Sequence, residues 1–156
     1  MCGHFNVGLY GVVLAVYCPP TKKFLMLKEL RDKPKFFKRA GMLAFPSETR
    51  EEKDCCVCKT VNRLVHEEIG VEFSSNIILL PQPLMYFRHH VPVYVAWTEV
   101  QKEFEAYPKD TDVEYHDWVS ELTIREMSKS DGKLRIETID VLTCVSEAIA
   151  RAPSHV

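Results

Sequence analysis

The residues best suited to chemistry run from Arg63 to Val71, Arg63-Leu64-Val65-His66-Glu67-Glu68-Ile69-Gly70-Val71. Two adjacent acids close an amphipathic stretch, with an arginine four and five residues upstream of them. At about 3.6 residues per turn, positions 64, 67 and 68 share one face of a helix. Carboxylates at all three would form a cluster for a hard cation such as Mg²⁺, which takes oxygen ligands. The chain supplies Glu67 and Glu68 but has leucine at the third position. Leu64 cannot hold a metal and extends the apolar face of Val57 and Val61, so it reads as core. The plainer reading of the two acids is a pair of solvated charges. Against it stands the mild cost of placing acids near a helix C-terminus, where the helix dipole is negative.

A second group lies upstream, where Arg31, Lys33, Lys35, Lys38 and Arg39 surround Phe36 and Phe37. A solvated basic loop is one reading. The other is a ligand-binding wall, with Arg31, Lys35 and Arg39 facing phosphates and Phe37 or its neighbour Phe36 stacking on a base. Cations combined with stacking are a common way to hold nucleotides and single strands. Cys55 and Cys58 form a C-x-x-C, but zinc would need two more ligands from His66, His89 or His90. No second C-x-x-C or H-x3-H accompanies them, so these cysteines read as small helix or core residues. Met1-Cys2-Gly3 also opens some amidotransferases with a terminal Cys nucleophile, but nothing else in the chain supports that chemistry.

The elements that must position these residues follow from hydrophobic pattern. Leu9 to Tyr17 reads as a strand, Cys18-Pro19-Pro20-Thr21 as a turn, and Phe24 to Leu30 as the second strand of a hairpin. Met42 to Phe45 is a short strand. Asp54 is a candidate N-cap for a helix to about Ile69, with Val57, Val61, Leu64 and Val65 on its buried face and Gly70 at C′. Ile77 to Leu80 and Val91 to Trp97 read as strands. Glu99 to Tyr115 reads as a long polar loop, Trp118-Val119 as the edge of a short strand, and Ser120 to Met127 as a helical turn. Ile136 to Ala150 is a closing helix. This order predicts an α/β or α+β sandwich with helices covering a mixed sheet.

The chain of 156 residues suits one domain, 46% hydrophobic and 27% charged, as expected of an ordinary globular protein. A net charge of −2 does not advertise a nucleic-acid binder. No apolar run is long enough to span a bilayer. Val7 to Cys18 has no Lys or Arg before it and no clear small-residue cleavage site after it, so it reads as a strand rather than a signal peptide. The expectation is a cytoplasmic protein whose six cysteines are reduced thiols.

Arg63 to Val71 resembles the end of the Nudix box, G-x5-E-x7-R-E-U-x-E-E-x-G-U with U aliphatic. Arg63, Val65, Glu67, Glu68, Gly70 and Val71 match, and Leu64 replaces the first acid of the core. Without gaps, Cys55 falls where an earlier Glu is expected and Thr49 where the Gly is expected. A short insertion would instead place Glu51 or Glu52 at that acid. Phe45-Pro46 is similar to the aromatic-Pro before the box, with Ser47-Glu48 in place of two glycines. Asp117-Trp118-Val119 resembles the late charged-Trp-Val element.

The resemblance implies a Nudix-type α/β/α sandwich and metal-dependent cleavage of a nucleoside diphosphate linked to another moiety. It implies Mg²⁺ or Mn²⁺ held by Glu67, Glu68 and a loop acid, Glu114 or its neighbour Asp112. Arg63 would orient an acid through a bidentate pair, with Glu67, Glu48 or a loop acid as partner. The implied ligand is a nucleotide-type small molecule, with RNA and a homodimer as further partners and no membrane. Leu64 and the missing glycines favour a second reading, a Nudix-fold sensor or complex subunit that binds nucleotide or RNA without turnover.

Overall fold

Strand β1 (Gly11–Cys18) sets the architecture. Val12, Leu14 and Val16 are buried on one face, and Val13 and Ala15 on the other. A strand apolar on both faces must be covered on both. A computed structural model, which describes residues 8–73, 75–86 and 90–152, shows this covering. The sequence readings of Cys2 and His89 lie outside those residues.

β1 runs parallel to β7 (Val91–Glu99), from Gly11↔Val93 to Tyr17↔Glu99. On its other side it meets β2 (Lys23–Glu29) antiparallel only at the turn end, Tyr17↔Phe24 and Cys18↔Lys23. The two strands then splay, and the chain between 43 and 49 fills the wedge. Its first part, β3 (Leu43–Ala44), pairs with β2, and its second, β4 (Ser47–Thr49), pairs with β1 through Val12↔Glu48. β5 (Ile78–Leu79) and β6 (Leu84–Tyr86) pair with β7, and β8 (Val113–Ser120) pairs with β2. Helix α1 (Val57–Leu64) packs on one face with Tyr10, Leu14, Leu25 and Trp118. On the other face α2 (Glu121–Met127) and α3 (Thr138–Arg151) bury Ile124, Val141, Leu142 and Val145 against Val13, Phe24 and Val95. The result is the expected α/β/α sandwich with a mixed sheet. Among the described residues no helix is long and apolar enough to cross a membrane.

Several boundaries differ from the sequence reading for physical reasons. β8 begins at Val113, inside the stretch read as loop, because its outward residues, such as Glu114, are polar while Val113 and Tyr115 are half-buried. β4 and β6, at three residues each, are too short to show a period-2 signal. Asp54 does not cap α1. Cys56 occupies the N-cap position, and the Asp54 carboxylate serves other donors. α2 does have a side-chain cap, the Ser120 hydroxyl accepting from the Thr123 N–H at 3.2 Å.

The end of the box helix positions the rest of the site. After Leu64 the helix widens into a π turn over Val65–Ile69, closed by the Gly70 N–H on the Val65 carbonyl at 2.9 Å. Such turns recur at functional sites. The exposed carbonyls beyond it are capped by a separate segment. Tyr107 N–H donates to Ile69 O at 2.7 Å, and Lys109 and Asp110 N–H donate to Glu67 O at 2.8 and 3.1 Å. Trp118 pins the other end of this segment through Nε1 to the Phe104 carbonyl at 2.7 Å. Gly70 has φ +69°, and a Cβ there would lie 1.8 Å from the Tyr107 carbonyl oxygen. Gly70→Ala therefore adds left-handed strain and pushes the segment off the helix. The expected loss is roughly 2–4 kcal/mol in urea unfolding. A wild-type midpoint would show that the segment does not depend on this close approach.

Candidate functional site

Arg63 lies where α1, β4 and the connection between them meet. Its side chain is 8% exposed. Nη2 donates to the Thr49 carbonyl and to Asp54 Oδ2, both at 2.7 Å. Nη1 reaches Glu48 Oε1 at 3.1 Å, Glu51 Oε1 at 3.3 Å and Glu67 Oε2 at 3.6 Å. Asp54 Oδ2 also accepts from the Glu51 N–H at 2.9 Å and the Thr60 hydroxyl at 3.0 Å. Thr60 in turn meets the buried Tyr10 hydroxyl at 2.8 Å. Burial opposes the charge on Arg63, but the Asp54 hydrogen bond and the surrounding carboxylates hold its pKa above the ordinary value. Burial likewise opposes charge on Asp54, yet the bonds from Arg63, the Glu51 N–H and Thr60 keep its carboxyl below the usual range. Arg63 thus meets Glu67, Glu48 and the loop acids Glu51 and Asp54.

Glu67 and Glu68 have separate environments. Glu67 is on the Arg63 side, with its side chain 38% exposed. Glu68 is 4% exposed and hydrogen-bonds to Asp110, which the capping segment delivers. Burial first, then the bond and charge of Asp110 and the field of Glu48, push Glu68 up to about 9. Burial also works against charge on Asp110. The Glu68 hydrogen bond, the Asp112 N–H at 2.9 Å, Lys33 and Lys38 nevertheless hold it below its ordinary value. Burial and the neighbouring Asp110 thus favour the protonated form of Glu68. Glu48 is raised by burial, against the opposing pull of Arg63.

Glu48, Glu68 and Asp110 line a cleft of ≈ 320 Å³ together with Lys33, Phe36, Lys38 and Arg135. The basic loop reaches the cleft through a 3₁₀ turn at Pro34–Phe36, closed by Lys33 N–H to Lys38 O at 2.8 Å and Phe36 N–H to Lys33 O at 2.9 Å. Lys33 pairs with Asp112, whose hydrogen bond raises its pKa. Lys38 is lowered by burial and by Arg135, and Glu29, 3.9 Å away, pulls the other way. Arg135 donates to Ser47 Oγ at 2.6 Å and meets Glu137 at 3.1 Å.

The sequence-predicted residues distribute unevenly about this cleft. Glu68 lines it. Arg31, Lys35, Phe37 and Arg39 are exposed and outside its lining, and their loop neighbours Lys33, Phe36 and Lys38 stand there instead. Arg31 pairs with Asp112 at 3.1 Å, Lys35 sits 5.8 Å from the Phe36 ring centroid, and the Arg39 guanidinium lies over Gly132. Glu114 pairs with Lys28 at 3.9 Å and is not part of the lining. Asp110 is the loop acid beside Glu68. Its only sequence signal is its place ahead of the Asp-Trp-Val element, since the docking that brings it there is a backbone contact. Leu64 is fully buried in the core. Cys55 and Cys58 are exposed and Cys56 is buried. His66 contacts Lys109 Nζ at 3.0 Å.

Among the described residues no three His, Cys, Asp or Glu side chains are already gathered around one point as a metal cage. The donor chemistry in the cleft does fit a hard divalent cation. Glu68 and Asp110 are adjacent carboxyl groups sharing a proton that a cation would displace, and Glu48 Oε2 is buried without a hydrogen-bond partner.

No protein-family model and no curated protein matches the sequence. Solved structures match the fold along nearly its whole length. A Nudix hydrolase from Nitrosomonas europaea aligns with TM-score 0.63 at 19% identity, over 90% of this chain and 88% of that one. The Nudix domain of Shewanella oneidensis NrtR, in complex with ADP ribose, aligns with TM-score 0.63 at 14% identity, over 93% and 90%. The E. coli dihydroneopterin triphosphate pyrophosphohydrolase gives 0.65 at 14% identity, over 92% and 96%. The chain has the Nudix fold.

Two outcomes follow from the site. Arg63→Ala leaves Asp54 and Glu48 buried without their cation and should cost about 3–5 kcal/mol in chemical denaturation. A loss no larger than that of an exposed-residue substitution would remove Arg63 as the organising contact. The second concerns pH in a chelator. Glu68 keeps its proton in the fold at pH values where the unfolded chain has lost it, so the folded state binds more protons between the ordinary 4.5 and about 9. Stability contributed by this group therefore falls as pH rises across that window. The depressed Asp110 acts only below its unfolded value, outside it. Glu68→Gln should flatten the decline, and an unchanged slope would show that Glu68 does not carry the proton.

Proposed function

We propose that the cleft binds a nucleoside diphosphate linked to another moiety and that the protein hydrolyses the pyrophosphate bond with Mg²⁺ or Mn²⁺. The observation that carries this reading is the meeting, in one cleft, of the Glu68–Asp110 pair with Lys33, Lys38 and Arg135. Glu68 and Asp110 would hold the cation, and Glu67 is the remaining acid of the box. A bound cation would neutralise phosphate charge and orient water. Lys33, Lys38 and Arg135 then bind phosphate oxygens, and Phe36 offers a face for a base. Arg63 acts as a positioning residue for Glu48 and Glu67. Arg31, Lys35, Phe37 and Arg39 form the outer side of the same loop.

Two of the structurally similar proteins support this class of ligand, one as a pyrophosphohydrolase of a triphosphate and one as a complex with ADP ribose. A specific observation favours a second reading. Leu64 is 0% exposed within the core, so the position where the box resemblance expects an acid contributes packing and no oxygen. On that reading the cleft binds its nucleotide without cutting it, as a sensor or complex subunit.

A panel of ADP-ribose, dinucleoside polyphosphates, nucleoside triphosphates and capped RNA, with Mg²⁺ or Mn²⁺, separates the two. Hydrolysis of at least one compound, falling about 100-fold or more in Glu68→Gln, is the expected result. Equal and negligible release from both proteins, with a nucleotide-dependent rise in melting temperature, would contradict the hydrolase reading and select the binding one.

A further inference from the structure

We propose that Glu48 supplies the carboxylate that position 64 lacks, presenting its free Oε2 from β4 to the cation end of the cleft while Arg63 holds Oε1. This deepens the reading of the cleft as a cation-assisted nucleotide site and rests on it.

The starting point is an asymmetry within one carboxylate. Glu48 Oε1 has two donors, Arg63 Nη1 at 3.1 Å and the Thr49 N–H at 3.3 Å. Oε2 is buried and has none. A buried carboxylate oxygen without a partner is costly, and such groups in folded proteins generally have a reason. Glu48 is also firmly placed. Its backbone pairs with Val12 in the wedge between β1 and β2, and β4 is held there at both ends by strand pairing and by the Arg63 bond to the Thr49 carbonyl.

Glu48 lines the same cleft as Glu68 and Asp110, and its charge acts on Glu68. Position 64 cannot contribute there, because Leu64 is packed with Val57, Val61 and Trp118. α1 and β4 lie against each other through Arg63, so a carboxylate from the strand can serve where one from the helix is missing. The glycine expected near this point by the box resemblance would carry no side chain, and this chain has an acid. A glutamate here and a leucine at 64 are then two halves of one exchange.

The test is Mn²⁺ binding to the full chain without nucleotide, followed by the paramagnetic resonance signal of free Mn²⁺. The variants are Glu48→Gln, Glu68→Gln and, as a matched exposed acid, Glu114→Gln. Glu48→Gln keeps the shape and an oxygen for Arg63, and melting in chelator checks its fold. Glu48→Asp is the second variant, keeping the charge beside Arg63 but withdrawing the free oxygen by one methylene. Weakening of Mn²⁺ binding about tenfold or more by Glu48→Gln and by Glu48→Asp, with Glu114→Gln unchanged, is the expected result. Wild-type affinity in whichever Glu48 variant folds, while Glu68→Gln is impaired, would overturn the role of Glu48 and leave the reading of the cleft standing. A wild-type chain that binds no Mn²⁺ would overturn both.

Discussion

Arg63 is a single buried cation set among four acids that come from separate stretches of the chain. Glu48 belongs to β4, Glu51 and Asp54 to the connection that follows, and Glu67 to the π turn. Taking a guanidinium out of water is costly unless its charge and its donors are matched. Of the matching groups Glu48 lines the cleft, and Arg63 holds it against the helix end. β4 and the connection that follows it are polar, and the ion pairs hold them against the helix end. The Tyr10–Thr60–Asp54 hydrogen bonds extend this fixing to the start of β1. The core packing on both faces of the sheet supplies stability, while Arg63 determines where the polar side chains point.

The second constraint is a helix end finished by another part of the chain. The carbonyls of Glu67 and Ile69 need donors, and the Tyr107–Asp110 segment provides them. That backbone requirement carries a side chain with it, because the segment that caps the helix also sets Asp110 against Glu68. A protonated acid beside an ionised one is a common signature of a site whose natural occupant is a cation or a developing charge. The Lys33–Asp112 pair then ties the basic loop to the same segment. Acids and cations thus reach one cleft through two neighbouring residues, Asp110 and Asp112.

What could be read in advance follows from how local each signal is. β1, β2, β7, α1 and α3 carry their own hydrophobic periods, and their places emerge from the sequence. Leu64 was legible as core for the same reason. The matched box residues and the aromatic-Pro and Asp-Trp-Val elements indicated the sandwich. β4 and β6 were not legible, since three residues hold too little pattern. Asp54 looked like an N-cap because its position suited one, yet Arg63 and Thr60 compete for its carboxylate more effectively than a helix amide does. The loop members facing the cleft were not legible either. The 3₁₀ turn selects Lys33, Phe36 and Lys38 over Arg31, Lys35, Phe37 and Arg39, and composition cannot distinguish those sets. Asp110 depended on a contact between backbones, which leaves no mark on side-chain identity.

The central claim is that the Glu68–Asp110 end of the cleft is where a divalent cation and a pyrophosphate meet. Anomalous diffraction from crystals soaked with Mn²⁺ and a non-hydrolysable nucleoside diphosphate analogue tests it most directly. The account predicts a manganese peak in the cleft, within roughly 2–2.5 Å of a Glu68 carboxylate oxygen, with the ligand's phosphates between it and Lys33, Lys38 or Arg135. Nucleotide bound in the cleft with no manganese there, or manganese bound only at surface acids such as Glu114, would contradict it.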